Sequence, residues 1–319
     1  MEYLKHFGIE DDPFCNESLE SFQLELSPQT DALKRLERGV RQGRRLVVLL
    51  GGVGCGKTTV ARRLYEELEE EHFAASMTVV LQDRPEAGWM LNHVAKCLGV
   101  ESEAEGREAR IAQIYDRLVA NREAGLQSVL IIDDAQALAN RDALVELCGL
   151  VKLESEDRGL LSLVLVGSHE LGDAIGAEAG LLHEVEVRVE LRGLDADEFA
   201  GYLAGRVKAA GGDPRILAPD ALAALGQFTA GAPGLANVVA DNALFEAFLQ
   251  GRSEITQADV VRAHSALAWV ASPGSMGVGQ RTKNAGFRDG SVFVSQSDLA
   301  EVAKQDGDLD ETSGDLLGG

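Results

Sequence analysis

The chain has 319 residues, 45% of them apolar, and a formal net charge of −22. That is enough apolar side chain for one large domain or two small ones with a buried core. The acid excess disfavours general binding to a phosphate backbone, no apolar run approaches the roughly 20 residues of a membrane span, and the start MEYLKHFGIEDDPF lacks the pattern of a signal peptide.

Residues 3–14, YLKHFGIEDDPF, are aromatic and turn-rich, with a break at Asp12-Pro13. Ser27-Pro28 opens a predicted helix to about Gly43, with Ser27 as N-cap and proline at the first helical position. Arg35, Arg38, Arg41, Arg44 and Arg45 recur mostly every three residues, the spacing of one solvated helix face. The apolar run Leu46–Leu50 is long enough for one buried strand. It leads into GGVGCGKTT, Gly51 to Thr59, which carries G-x-x-x-x-G-K-[ST] at Gly51, Gly56, Lys57 and Thr58. A helix is predicted next, over 60–72.

Strand, glycine loop and helix in that order are the context of a phosphate site. The oxygens of a triphosphate need backbone N–H groups pointing inward from a concave loop. Glycines permit both the close approach and the positive φ this requires. Gly52, Val53, Gly54, Cys55, Gly56, Lys57, Thr58 and Thr59 are therefore the candidate cofactor-binding residues, and the expected cofactors are ATP and Mg²⁺. Lys57 would neutralise the β- and γ-phosphates, beside the partial positive charge of a helix N-terminus, and the Thr58 hydroxyl would ligate Mg²⁺. Cys55, near that helix N-terminus, is in a setting that lowers a thiol pKa; redox control is one reading of it and a passive loop position the preferred one.

Residues 76–81, SMTVVL, predict a second strand, and 88–98 and 107–122 predict helices with apolar faces. Ser128–Asp134, SVLIIDD, sets four apolar residues before two carboxylates. Such a strand is buried on both faces, as in a parallel sheet, and parallel sheets bind ligands at their C-terminal ends. Asp133 is thus placed to hold a Mg²⁺-bound water beside Thr58, and Asp134 to act as catalytic base or water-orienting group. A helix over 139–154 leads to Leu161–Val166, LSLVLV, a further buried strand ending at Gly167-Ser168-His169. Ser168 reads either as a sensor of the γ-phosphate or as the cap of the following turn. Val185–Leu191, VEVRVEL, alternates and predicts a last strand near an edge.

After Gly193 no strand is predicted. Helical patterns over 195–210, 219–229, 235–250 and 256–270 read as a small helical domain beside the α/β one. From about Ser272, glycine, serine and aspartate dominate, which reads as a largely disordered acidic tail with small apolar islands at 291–295 and 299–303. The four cysteines form no CxxC pair and no metal-ligand spacing, so free thiols in a reducing cytoplasm are expected. His169 and His183 have no neighbours at metal spacing, and Trp89 and Trp269 read as packing residues.

YLKHFGIEDDPF, VLLGGVGCGKTT, LIIDDAQAL, LVLVGSHEL and GAPGLAN together resemble the ATPase domain of general secretion pathway protein A (ExeA-like) over residues 1 to about 270. The family features are Y-x-x-F/Y-G-L-x-x-x-P-F, G-x-V-G-x-G-K-T-T, I-D-E-A-Q, L-V-G-Q-x-E-L and G-x-P-R-x-I-N. Related AAA+ modules of the TniB and TnsC type serve in DNA transposition. The resemblance implies an α/β AAA+ P-loop fold: a five-stranded parallel αβα core, a helical lid, and nucleotide at a subunit interface in a ring or filament. The organisation expected is 1–45 as aromatic segment and helix, 46–193 as P-loop core, 194–271 as lid and 272–319 as tail.

Three departures matter. Asp133-Asp134 stands where the family has Asp-Glu, one methylene shorter. Gly231-Ala232-Pro233-Gly234 lacks the lid arginine of G-x-P-R. His183-Glu184 stands where the resemblance places the Gln-Arg pair of an arginine finger, with Arg188 the nearest basic residue. Misplacing the attacking water by about 1 Å costs on the order of 10²-fold, and an arginine finger is worth roughly 10³ to 10⁵. The expectation is a nucleotide-dependent switch or assembly subunit that binds MgATP, hydrolyses it slowly, self-associates, and recruits a protein through its tail. The alternatives are an active ATPase energising a secretion or pilus-like machine, and a transposition-type regulator polymerising on DNA, which the net charge disfavours. The family's membrane segment and wall-binding region are not among these 319 residues, which weakens a direct envelope role.

Overall fold

A computed structural model describes residues 1–16, 26–80, 87–100, 106–138 and 141–267; the acidic tail, its apolar islands and Trp269 lie outside the described residues. In chain order the helices are α1 (Glu2–His6), α2 (Ser27–Arg41), α3 (Lys57–Glu66), α4 (Ala87–Cys97), α5 (Arg107–Glu123), α6 (Arg141–Val151), α7 (His169–Ala177), α8 (Ala179–Leu182), α9 (Ala196–Ala209), α10 (Pro219–Thr229), α11 (Pro233–Leu249) and α12 (Gln257–Ala266). The strands are β1 (Leu46–Gly51), β2 (Phe73–Val79), β3 (Gln127–Asp133), β4 (Glu154–Ser155), β5 (Arg158–Gly159), β6 (Leu161–Gly167) and β7 (Val185–Leu191). None of the described helices is long and apolar enough to cross a membrane.

The chain divides into two compact units. Residues 26–193 build a five-stranded parallel sheet in the order β2-β3-β6-β1-β7. The unbroken apolar runs of β1, β3 and β6 are its buried centre, because helices cover both faces of a parallel sheet and leave no polar side to alternate with. β7 alternates because it is an edge. The connection leaving β1 runs toward β2, whereas the one leaving β6 crosses β1 to reach β7. That divergence opens a crevice at the C-terminal ends of β1 and β6, where doubly wound sheets hold ligands.

Several boundaries differ from expectation. Leu26, in extended conformation, is the N-cap of α2, and Ser27 is already helical without a side-chain cap. α3 stops at Glu66, short of 72: Glu66, Glu67, Glu70 and Glu71 would stack like charges four apart on a longer helix. The chain turns instead, and β2 starts at Phe73, which is buried opposite Gln127. α6 ends at Val151, short of 154, and Glu154 opens the antiparallel hairpin β4–β5 instead.

In the second unit, residues 1–16 pack with 194–267. The N-terminal aromatic segment, grouped with α2 on sequence, is thus part of the helical unit. The buried Arg206 guanidinium explains why: it donates to the Pro13 carbonyl at 2.6 Å and to that of Cys15, while Glu10 and Asp11 N–H groups both donate to Ala210 O. Capping boxes start α9 (Asp195 with Glu198) and α12 (Thr256 with Asp259).

Candidate nucleotide site

The parallel register brings the expected residues to one row. Leu50 pairs with Gly167, and Ile132 with Leu165, so the ends of β1, β6 and β3 are level. β6 lies between the other two, which sets Ser168 between the glycine loop and Asp133. Gly54 (φ 74°) and Gly56 (φ 93°) are both left-handed, as a loop needs if its N–H groups are to turn inward. α3 begins at Lys57, directly after Gly56, and its free N–H groups and macrodipole face the loop. Lys57 Nζ donates to the Gly52 carbonyl at 2.9 Å, folding the ammonium back over the loop. Thr58, Thr59 and Val53 are exposed.

Asp133 is the last residue of β3 and is 1% exposed. Its Oδ1 accepts the N–H of Asp134 at 2.9 Å. Asp134 leaves the strand with φ 52° and an exposed side chain. Ser168 is the N-cap of α7 but makes no side-chain cap bond, and its buried Oγ has no hydrogen-bond partner. A hydroxyl without a partner at the end of the central strand is the kind of group a bound anion would satisfy. The left-handed glycine cradle, the facing ammonium and the hard oxygens of Thr58 and Asp133 likewise suit a nucleotide triphosphate with Mg²⁺.

Two glutamines that are not among the candidate site residues hold this row together. Gln29 of α2, buried, donates to the Cys55 carbonyl at 3.3 Å and lies so close that a Cβ on Gly56 would come within 2.2 Å of its Nε2. Gln136 donates from Nε2 to Asp134 Oδ1 at 3.0 Å and accepts the Ser168 N–H on Oε1 at 3.1 Å. Gln136 lies within LIIDDAQAL, in the last position of the I-D-E-A-Q feature; nothing local marks Gln29.

Cys55 is buried, and desolvation pushes its thiol up despite Lys57, against the redox reading. Cys15, Cys55 and Cys97 are free thiols. The arginines ahead of the loop lie on the surface, with Arg41 paired to Glu37 (2.8 Å) and Glu69 (2.9 Å), Arg44 to Glu186 (3.6 Å) and Arg45 to Glu154. His183 caps α8 and precedes β7; Glu184 pairs with Lys152 at 3.6 Å. Arg188 points outward at mid-strand of β7, beside Val48 in register. Gly234 sits in the first turn of α11. Trp89 packs against the core and stacks on His93 at 4.7 Å.

Residues 40–175 match the AAA domain family. General secretion pathway protein A of Aeromonas hydrophila is 31% identical over 261 residues, 81% of this chain. The chain belongs to the AAA+ ATPase family. It spans about half (47%) of the length of that curated relative. Among solved structures, this AAA+ chain matches Cdc6p from Pyrobaculum aerophilum with a TM-score of 0.61 at 20% identity, over 81% of this chain and 71% of that one. The ORC1 protein of Aeropyrum pernix, solved in complex with DNA, matches with 0.58 at 18% identity, over 80% and 68%. At these identities the likeness is one of fold, and it is the AAA+ fold.

Proposed function

We propose that this AAA+ protein binds MgATP at the C-terminal ends of β1, β6 and β3 and uses the bound state as a switch for self-association, hydrolysing ATP slowly. The observation that carries this reading is an imbalance. The left-handed glycine loop, Lys57 and the unpartnered Ser168 Oγ suit phosphate, while the positions where the resemblance expects transfer groups carry shorter or different residues.

On the gripping side, Lys57 would exchange the Gly52 carbonyl for β- and γ-phosphate oxygens. Ser168 Oγ would donate to the γ-phosphate, and the N–H groups of 52–59 would line the phosphates. Thr58 and Asp133 would hold Mg²⁺, which supplies charge neutralisation between the phosphates. On the transfer side, Asp134 is the candidate base and is a methylene short. Gly234 carries no side chain at the lid arginine's position, and an acid paired to Lys152 stands where the resemblance expects a finger. Tight ground-state binding with little transition-state stabilisation follows from that division.

Steady-state turnover of about 1 s⁻¹ or faster, abolished by Lys57→Ala, would overturn slow hydrolysis. Light scattering without nucleotide, with ADP and with a slow-hydrolysing ATP analogue tests the switch. A larger species with the analogue alone is expected, and three identical profiles would remove it. The relative's name favours a second reading, an active ATPase of a secretion machine, which fast turnover would restore. DNA binding, seen in the ORC1 complex, is opposed here by the −22 charge, and a binding assay at moderate salt decides it. Recruitment of a protein through the acidic tail, and a cytoplasmic setting, belong to the same proposal.

A further inference from the structure

The carboxamide of Gln136 has both of its polar atoms committed, one on each side of the site. Nε2 donates to Asp134 Oδ1 at 3.0 Å, at the end of β3. Oε1 accepts the N–H of Ser168 at 3.1 Å, at the end of β6. It also lies tight under the backbone there: a Cβ on Gly167 would come within 2.8 Å of Oε1. The amide is planar and rigid, so a shift of the Ser168 backbone moves its acceptor and, through the same plane, the donor that Asp134 uses.

Asp134 is held twice. Its backbone, in the left-handed region at φ 52°, gives its N–H to Asp133 Oδ1 at 2.9 Å. Its carboxylate accepts on Oδ1 from Gln136 Nε2. An aspartate has only two side-chain torsions, so fixing Oδ1 fixes the direction of Oδ2 as well. The oxygen left over is therefore aimed by Gln136 rather than by Asp134 itself. On the other side, the unpartnered Ser168 Oγ belongs to the residue whose N–H Gln136 accepts.

We infer that Gln136 is a positioning residue that ties the Ser168 end of β6 to Asp134, so that contact of Ser168 with a γ-phosphate sets the direction of the Asp134 carboxylate. This rests on the reading of the site as a MgATP site with Asp134 as its base. Gln136 touches neither nucleotide nor water in this scheme; it acts through the two residues it joins.

Two near-isosteric variants separate the two bonds. Gln136→Glu keeps an acceptor for the Ser168 N–H and loses the donor to Asp134. Gln136→Met loses both. Full-length protein in excess over γ-labelled ATP, followed for a day, reads slow cleavage directly; MgATP and MgADP affinities and thermal unfolding are measured alongside. The expected result is that both variants bind MgATP within about twofold of wild type and cleave it on the order of 10²-fold more slowly. The preference for ATP over ADP is kept by Gln136→Glu and reduced in Gln136→Met. Cleavage at the wild-type rate in Gln136→Glu overturns the inference. So does a loss of affinity that matches the loss of cleavage, which would make Gln136 a brace of the whole site. Wild type that binds MgATP but cleaves none leaves Gln136 nothing to position, and the inference fails while the binding site stands; wild type that does not bind MgATP fails the site itself.

Discussion

Gly56→Ala tests the glycine loop at the residue where two separate constraints meet. The first is backbone conformation: φ 93° and ψ 24° lie in the left-handed region, where an L-residue costs about 1–2 kcal/mol. The second is space. The new Cβ would lie 2.2 Å from Gln29 Nε2, so the carboxamide must turn away and give up its bond to the Cys55 carbonyl. Losing that buried bond costs about 1 kcal/mol, more if the carbonyl finds no other donor. The sum is about 2–4 kcal/mol, or roughly 5–15 °C in the unfolding of a unit of this size. Calorimetry on four proteins separates the parts: wild type, Gly56→Ala, Gln29→Ala and the double variant. In the Gln29→Ala background the spatial part has already been lost, so Gly56→Ala should cost about 1–2 kcal/mol there, and the cycle should show coupling of about 1 kcal/mol or more. Equal costs in both backgrounds would refute the contact with Gln29. A cost below about 0.5 kcal/mol in the wild-type background would refute the left-handed conformation as well.

Gly167→Ala would place a Cβ 2.8 Å from both Gln136 Oε1 and Leu171 Cδ2. It is expected to destabilise by about 1–3 kcal/mol in urea unfolding, and an unchanged midpoint would contradict the packing. Burial raises the Cys55 thiol, so iodoacetamide at neutral pH should modify it at least about 10-fold more slowly than an exposed thiol; equal rates by peptide mass analysis would disprove its burial. Burial also lowers the His93 and His264 imidazoles, so the unfolded chain binds those protons more readily. Their contribution to stability is full above the unfolded value of about 6.5 and is lost as pH falls below it; urea midpoints that rise from pH 7.5 to pH 5 would reverse that sign.

The sheet was legible because its centre is a parallel sheet. β1, β3 and β6 are buried on both faces, so VVLL, VLII and LVLV stand out as unbroken runs, and the alternation of β7 marks its edge. The glycine loop was legible for a related reason, since its residue types answer to backbone geometry within nine positions. The hairpin β4–β5 was not. Its turn residues Glu156 (φ 52°) and Asp157 (φ 60°) replace the Asn-Gly such a turn favours, and Arg122 secures it by donating to the carbonyls of Ser155, Arg158 and Gly159 at 3.2–3.3 Å. The bonds of Gln29 and Gln136 are hidden on the same principle, although Gln136 stands in the I-D-E-A-Q feature: they bridge segments 26 and 32 residues apart, respectively, and a neutral amide carries no periodicity that would announce them.

The glutamines change how the departure at Asp134 is judged. Motif comparison treats that position as a reach, long with glutamate and short with aspartate. The hydrogen bonds make it a linkage instead, because one carboxylate oxygen is already held by Gln136, and the direction of the other depends on where that amide sits. Lengthening the side chain by a methylene moves the held oxygen as well as the free one. It therefore strains or breaks the bond to Gln136, whose other end is fixed by the Ser168 N–H. With Asp134 as the proposed base, glutamate at position 134 is therefore not expected by itself to speed hydrolysis: the carboxylate gains reach and loses its aim, and turnover rises only if the amide can follow.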